Sequence, residues 1–272
     1  MILSHLQTGD ATGGVMRNRW MICALMCIFM CVLLSGFAFA GRAIVVAVNA
    51  NWPPMQMKDD KGTITGYEID MIRAIADEAG FQVKIVNVPW GKILKGLNAG
   101  KYDAVMASVS ITENRKEKFD FSEPYFTAEQ LLVIPKALVG TTLTGKEIAV
   151  FKLTTGADAI RESQRCKMTY YTAEETEKAF KDLADGQVAG VLCDSPMALK
   201  YAFSKGEYYG KFAITSETYV VENQMPKEEY GIAVKKGDAK TLDLINKGLQ
   251  AVKAKGIDNQ IRDKWFRFLF SS

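Results

Sequence analysis

Short apolar runs alternate with longer amphipathic stretches over residues 44–107. Continuous β-branched runs are typical of buried strands, and apolar residues at helical spacing are typical of helices packed on a sheet. The pattern predicts, in order, strand 44–48, helix 66–79, strand 83–88, helix 90–99 and strand 104–107. Strands joined through helices pair in parallel with right-handed crossovers, so this segment predicts an α/β unit.

The same order of elements recurs further along the chain. The second set is predicted as strand 148–151, helix 155–163, strand 167–171, helix 173–184 and strand 189–193. Residues 97–108 also align without a gap with residues 183–194, and this places Ser108 and Asp194 at equivalent positions beyond a third strand. Two helix-to-strand connections can look alike by chance, but the repeated order favours two similar α/β lobes.

The remaining segments predict how the chain passes between the lobes. They are predicted as strands 130–135 and 230–234 and helices 239–255 and 257–266. We expect crossings near Tyr125 and Glu222, with lobe 1 formed by residues 41–125 plus 223–272 and lobe 2 by residues 126–222. Open α/β sheets bind ligands beyond the carboxyl ends of their strands, so two facing lobes would enclose a cleft.

The pattern of the first forty residues predicts a cleaved signal peptide. These residues are therefore not expected to belong to the folded protein. A basic segment, residues 16–19, precedes an apolar stretch, residues 20–34, and an Ala-x-Ala pattern ends at Ala40. The stretch is shorter than the roughly 20 residues of a spanning helix. An uncleaved N-terminal anchor is the alternative, and Met16 is a second candidate for the start. A cleaved signal peptide implies export from the cytoplasm.

The amino-acid composition excludes several classes of binding and catalytic site. The 272 residues carry 34 basic and 31 acidic side chains with a net charge of +3, and no block of like charges suggests nucleic-acid binding. His5 is the only histidine and would leave with the leader, which excludes histidine-dependent triads and metal sites from the mature chain. Cys166 and Cys193 would remain, and we expect both to be free thiols. No metal or cofactor is therefore expected.

Several motifs follow one another along residues 42–267. They begin with Asn51-Trp52-Pro53-Pro54-Met55 and Gly66-Tyr67-Glu68-Ile69-Asp70, and continue at residues 100–104, 110–115, 119–125, 230–237 and 264–266. In this order they resemble the extracellular solute-binding proteins of family 3, which are periplasmic receptors of polar amino-acid ABC transporters. The resemblance implies a type II periplasmic-binding-protein-like α/β fold. In that fold each lobe is a mixed, mainly parallel sheet flanked by helices, and two hinge crossings join the lobes.

Arg115 is the first candidate binding residue that the resemblance implies. Its planar guanidinium can hold a carboxylate through two parallel hydrogen bonds, and the matching arginine of the family grips the α-carboxylate of the ligand. Ser110 would assist through its N–H and hydroxyl, and Ser108 is expected at the same strand edge. The alternative for Arg115 is a solvated side chain beside Lys116 and Lys118.

Asp194 is the second candidate, because the family places an aspartate here to accept the α-ammonium. Its alternative role is the N-cap of a helix that begins near Pro196. Thr154 and Thr155 precede a helix whose free N–H groups suit a carboxylate. Leu153 stands where the family carries glycine, which puts close backbone approach in doubt. Simple capping is the alternative for the threonines.

The side-chain pocket is implied by a further set of positions. Trp52 and Trp90 match aromatic residues that wall this pocket in the family, although either could belong to the core. Asn49 stands where many relatives have aspartate, and Ala107 replaces a common serine, so a neutral polar ligand is favoured over a cationic one. Lys152 would favour an acidic or amide ligand if it reached the pocket.

The sequence thus predicts a monomeric, two-lobed periplasmic protein that captures a polar amino acid. It would deliver this ligand to a membrane ABC permease through hinge closure, without a cofactor, metal or nucleic-acid partner. One alternative is an enzyme on the same scaffold that resembles cyclohexadienyl dehydratases. Another alternative is a sensor module that acts through a transmembrane kinase.

Overall fold

Two five-stranded sheets, each flanked by helices, form two lobes. The computed structural model describes residues 43–204, 206–216, 218, 220 and 224–267. The predicted signal peptide and Glu222 lie outside the described residues. Within the described part, none of the helices combines the length and apolar character that a membrane crossing requires.

The first lobe begins with an alternating series of strands and helices. Its elements are β1 (Ile44–Val48), β2 (Met57–Lys58), β3 (Ile64–Thr65), α1 (Tyr67–Ala79), β4 (Val83–Asn87), α2 (Trp90–Asn98), β5 (Ala104–Val105), α3 (Glu113–Lys116) and β6 (Phe119–Phe121). The order predicted for residues 44–107 is confirmed. The hairpin of β2 and β3 was not predicted, because its strands have only two residues each.

The second lobe repeats this arrangement. Its elements follow β7 (Phe126–Ala128) and are β8 (Gln130–Pro135), β9 (Glu147–Phe151), α4 (Thr155–Ser163), β10 (Lys167–Tyr171), α5 (Thr176–Ala184), β11 (Gly190–Asp194), α6 (Ser195–Phe203) and β12 (Phe212–Ser216). Helix 173–184 was predicted as one element, but it begins as a separate 3₁₀ turn, Ala173–Glu175.

The chain then returns to the first lobe through β13 (Glu228–Tyr230), β14 (Ala233–Lys235), α7 (Ala239–Ala254) and α8 (Ile257–Phe266). The single strand predicted for residues 230–234 is therefore wrong. Tyr230 pairs with β7, whereas Ala233 pairs with β5 and β6, so the chain changes sheets within this apolar run.

The two sheets share one topology. Their strand orders are β4-β1-β5-β14-β6 and β10-β9-β11-β8-β12. Each sheet is mixed as predicted, but neither is mainly parallel, because two parallel and two antiparallel pairs occur in each. The third strand of each repeat, β5 or β11, occupies the centre of its sheet, and Ser108 and Asp194 therefore lie at matching edges.

The β7–β13 pair carries the chain between the lobes in both directions. These strands are antiparallel, with Tyr230 opposite Phe126 and Glu228 opposite Ala128. The crossing expected near Tyr125 adjoins this pair. The lobe boundaries at residues 125 and 222 stay predictions.

Helices α1 and α7 of the first lobe pack closely against each other. Helix α1 ends at Gly80, whose φ of 76° is the left-handed conformation common after a helix. The same helix packs against α7 at Gly248, where an added Cβ would lie 2.2 Å from the carbonyl oxygen of Ile75. In the part of the chain that the structure describes, Cys166 and Cys193 are both free and buried.

Candidate ligand-binding site

A small cavity lies where the two lobes face each other. Lobe 1 lines it with Asn49, Trp52, Gln56, Trp90, Ala107, Ser108, Ser110 and Arg115, and lobe 2 with Thr154, Thr155, Ala173 and Asp194. The structure therefore brings all nine residues of the predicted site to one cavity.

Arg115 is oriented towards the cavity by short-range contacts. It lies on α3, and its Nη1 donates to the carbonyl oxygen of Ser110 at 2.8 Å. Its guanidinium carbon lies 5.7 Å from the centroid of the Trp90 ring, within the range of a cation–π contact. Lys116 and Lys118 are exposed and bond to neighbours on their own turn. The geometry thus distinguishes Arg115 from the solvated cations beside it.

Two carboxylates balance the charge of this arginine. Burial lowers the pKa of Arg115, and the charges of Glu228 and Asp194 oppose that change. A partly desolvated guanidinium has given up part of its hydration shell, so a ligand carboxylate could bond to it at a smaller desolvation cost.

Asp194 lies at the end of β11 and is only 6% exposed. It occupies the N-cap position of α6, yet its carboxylate accepts from the hydroxyl of Tyr230 and from Nε2 of Gln130. Burial raises the pKa of Asp194 to about 7, and the charge of Glu228 contributes to the rise. The side chain is thus directed to the cleft and away from the start of α6.

Glu228 connects the two lobes and was missed by sequence reasoning. It lies on β13 and accepts from the hydroxyl of Ser110 on lobe 1. Its other oxygen accepts from the Thr155 hydroxyl at 2.6 Å and from Nε2 of Gln130 at 3.2 Å, both on lobe 2. Glu228 and Tyr230 are two residues apart on one strand, and this spacing places their side chains on the same face.

Ser108 adopts an uncommon backbone conformation at the edge of the cavity. Its φ is 51°, in the left-handed region, and its N–H and hydroxyl both donate to Glu68, at 2.9 and 2.8 Å. Tyr125 donates to the same carboxylate at 2.7 Å, and Gln56 donates to its other oxygen. Burial outweighs these four donors and raises the pKa of Glu68 to about 7.

Thr154 and Thr155 have separate functions at the start of α4. Thr154 is the N-cap, since its hydroxyl oxygen accepts from the N–H of Ala157 at 3.4 Å. Thr155 bonds to Glu228 as described above. Leu153, which stands where the family has glycine, takes a φ of 65°. The local backbone therefore keeps a glycine-like conformation, although the residue is a leucine.

The lobes make direct contacts around the mouth of the cavity. Nδ2 of Asn49 donates to Oε1 of Glu174 at 3.1 Å, and the backbone N–H of Trp90 donates to the same oxygen at 3.2 Å. The indole N–H of Trp90 donates to the carbonyl of Leu153 at 3.3 Å. These bonds hold the lobes together over the cavity.

The two tryptophans predicted for the site, Trp52 and Trp90, both line the cavity, and Trp52 also packs against the core. Trp52 packs edge-on against Phe151 with the ring centroids 5.0 Å apart, and it also lines the cavity, as Trp90 does. Trp52 therefore both belongs to the core and forms part of the cavity wall, so the two predicted alternatives do not exclude each other. Lys152 is exposed and borders an adjacent groove. Its position gives no support to either an acidic or an amide ligand.

Two mixed α/β lobes that close over a polar cleft define a type II periplasmic-binding-protein fold. The family model of the bacterial extracellular solute-binding proteins, family 3, matches residues 44–268, and the chain belongs to this family. The family assignment made from the motifs is confirmed.

Individual relatives are similar over most of their length. A probable histidine-binding protein of Neisseria gonorrhoeae is 28% identical over 265 residues, with 92% of this chain and 96% of that protein covered. An ancestral arginine-binding protein bound to glutamine is 32% identical, with 82% of this chain and 97% of that chain covered and a TM-score of 0.71. An ancestral amino acid-binding protein described as a precursor of cyclohexadienyl dehydratase is 30% identical, with 82% and 95% covered and a TM-score of 0.71.

Proposed function

We propose that the protein captures a polar amino acid in the periplasm and delivers it to the permease of an ABC transporter. One observation carries the proposal, namely that Arg115 of lobe 1 and Asp194 of lobe 2 line the same cavity with opposite charges. An amino acid is a zwitterion that complements this pair at both ends. Its release to a permease accords with the family, and the predicted signal peptide accords with a periplasmic location.

The cavity offers a separate environment to each part of such a ligand. We assign the α-carboxylate to Arg115 and to the N terminus of α4, where backbone N–H groups and the helix dipole favour an anion. The α-ammonium would lie at Asp194, with the charge of Glu228 nearby. The side chain would then lie between Trp52 and Trp90.

Closure of the lobes would couple binding to delivery. A ligand that contacts both lobes favours the conformation in which all its contacts form together. Two charge-assisted clamps and aromatic burial suffice for a micromolar dissociation constant, which corresponds to about −8 kcal/mol. The permease would then recognise the closed form.

The names of the relatives support binding over catalysis. The relatives reported above are a probable histidine-binding protein, an arginine-binding protein and an amino acid-binding protein. The last is a dehydratase precursor, so an enzyme on this scaffold is a real alternative. We propose that the present protein is not an enzyme, and that it acts as a monomer.

A thermal-shift screen of the purified protein against the twenty amino acids tests the proposal. We expect at least one polar amino acid to raise the melting temperature, and Arg115→Ala and Asp194→Ala to remove this rise. Arg73→Ala, at an exposed position of α1, is the matched control and should keep it. The enzyme alternative would gain support if prephenate or arogenate were turned over and no amino acid raised the melting temperature.

A further inference from the structure

Three buried polar atoms, each on a residue that lines the cavity, have no hydrogen-bond partner among the described residues. They are Oδ1 of Asn49, Oε1 of Gln56 and the indole N–H of Trp52. The three residues are 2%, 0% and 7% exposed, and all of them line the cavity. Buried polar groups in proteins almost always have a partner, so the unpartnered atoms of these three cavity residues are available to pair with a ligand.

The surrounding bonds fix which atom of each amide is unpartnered. Nδ2 of Asn49 donates to the carbonyl of Val88 and to Glu174, both at 3.1 Å, so the oxygen is the remaining atom. Nε2 of Gln56 donates to Glu68 and, at 3.3 Å, to the hydroxyl of Ser108, so its oxygen also remains. The subsite therefore presents two acceptors and one donor.

The local backbone holds two of the three groups beside each other. Trp52 and Gln56 form an isolated antiparallel bridge, with N–H to carbonyl distances of 2.9 Å and 3.0 Å in the two directions. Residues directly opposite in such a pair place their side chains on the same face. Asn49 directly follows β1. All three groups belong to lobe 1.

We infer that the ligand is an amino acid whose side chain ends in a carboxamide or ureido group, as in glutamine or citrulline. Such a group carries a carbonyl acceptor and an NH₂ with two donors, and can thus pair with the Trp52 N–H and with the two amide oxygens. The inference rests on the proposed function and narrows its ligand class.

Other side chains leave at least one of the three groups unpaired. An ammonium or guanidinium has donors only and cannot pair with the Trp52 N–H. A carboxylate has acceptors only and would face the two oxygens of Asn49 and Gln56. A neutral imidazole has one donor and one acceptor and satisfies two of the three groups. Leaving a buried polar group unpaired weakens binding, so each of these ligands should bind less tightly.

Calorimetric titration of the purified protein with a panel of L-amino acids tests the inference. The panel comprises glutamine, asparagine, citrulline, glutamate, histidine, lysine and arginine. We expect glutamine, asparagine or citrulline to bind at least about tenfold more tightly than glutamate, lysine, arginine or histidine. A tighter complex with any of these four would overturn the inference and leave the proposed function intact. If no amino acid binds, both fail.

Trp52→Phe provides a second, independent readout, because it removes the N–H and keeps an aromatic ring. We expect it to weaken glutamine binding by about tenfold and to leave lysine binding unchanged, so that the gap between the two ligands narrows. In the control variant Trp90→Phe, the lost N–H had served Leu153, so all ligands should weaken by a common factor. An equal loss for both ligands in Trp52→Phe would contradict the assignment of its N–H to the ligand carbonyl.

Discussion

Nδ2 of Asn49 on lobe 1 donates to Oε1 of Glu174 on lobe 2 at 3.1 Å. The bond spans the mouth of the cleft, and the backbone N–H of Trp90 donates to the same carboxylate oxygen. A second bond between the lobes runs from the Thr176 hydroxyl to the carbonyl of Asn51 at 3.1 Å. Glu174 therefore belongs to the contacts that stabilise the closed form, although it does not line the cavity.

We predict that Glu174→Ala weakens amino-acid binding at least about fivefold, because it removes the acceptor of two hydrogen bonds between the lobes and the loss of one such bond costs about 1 kcal/mol. Most of the change should lie in faster dissociation, which stopped-flow fluorescence can follow through the cleft tryptophans. Glu174→Gln keeps an acceptor oxygen and should have a smaller effect. Glu162→Ala, at an exposed position on α4, should have none. Equal dissociation rates for Glu174→Ala and the wild type would refute this function of Glu174.

Ligand affinity should depend on pH through Asp194. Burial raises the pKa of its carboxyl to about 7, and the buried charge of Glu228 adds to the rise, while Tyr230, Gln130 and Arg115 oppose it. Only the ionised form attracts an α-ammonium strongly. Binding then releases a proton below neutrality, so affinity should rise by up to about tenfold per pH unit between pH 5 and 7 and level off above.

Calorimetry in buffers of different ionisation enthalpy measures both the affinity and the released proton. Asp194→Asn should bind weakly at every pH and release no proton. If the wild type bound an amino acid with the same affinity across this range, Asp194 would not be the group that accepts the ammonium.

Glu68 should make the ligand-free protein more stable in mild acid. Burial raises the pKa of this carboxyl to about 7, so the native state holds a proton that the unfolded chain has lost. Stability therefore falls as pH rises, and the contribution of Glu68 between about pH 5 and pH 8 is about 2 kcal/mol. Urea denaturation of the ligand-free protein at several pH values measures it.

The variant Glu68→Gln should have a flatter dependence of the unfolding free energy on pH than the wild type. Its amide oxygen can take the place of Oε1 and accept from Ser108 and Tyr125, while its NH₂ would face Gln56. Asp77→Asn, at an exposed position of the same helix, is the matched control and should keep the wild-type dependence. An unchanged slope in Glu68→Gln would show that this carboxyl does not titrate near neutrality.

Leu153→Gly should stabilise the protein. The residue holds a φ of 65° and is 65% exposed, so its side chain adds little packing while its Cβ is strained. Glycine relieves that strain but costs conformational entropy on folding. The net effect should be a gain of about 1 kcal/mol in the free energy of unfolding, which raises the melting temperature by about 2–4 °C. Leu153→Ala keeps the Cβ and should give no gain. A lower melting temperature for the glycine variant than for the alanine variant would contradict the strain argument.

The fold could be predicted where one apolar run forms one element. Strand Ile44–Val48 is buried at four of its five residues, and helix Thr155–Ser163 has a clear N-cap, so their bounds agree with the sequence. The prediction of one strand at residues 230–234 was wrong, because the two halves of this run pair with different sheets. An apolar pattern reports burial and does not report which strand lies alongside.

The site residues that could be predicted are those that belong to a family motif or lie at the end of a predicted strand. Arg115 and Asp194 follow the third strands of their repeats, and the structure places both at the cavity. Glu228 lies on a two-stranded crossing that no motif marks as polar, and its partners are about 70 to 120 residues away in the chain. The unpartnered oxygen of Gln56 likewise becomes evident only when its neighbours are known.

The central claim is that Arg115 binds the carboxylate of a zwitterion. Calorimetry with the amino acid that gives the largest thermal shift, and with the amine obtained by its decarboxylation, tests it most directly in the wild type and in Arg115→Ala. The account predicts that the wild type binds the amine about 100-fold more weakly than the amino acid, and that Arg115→Ala loses most of this preference, since only the N terminus of α4 still favours the carboxylate. If Arg115→Ala still preferred the amino acid as strongly as the wild type does, the account would be contradicted.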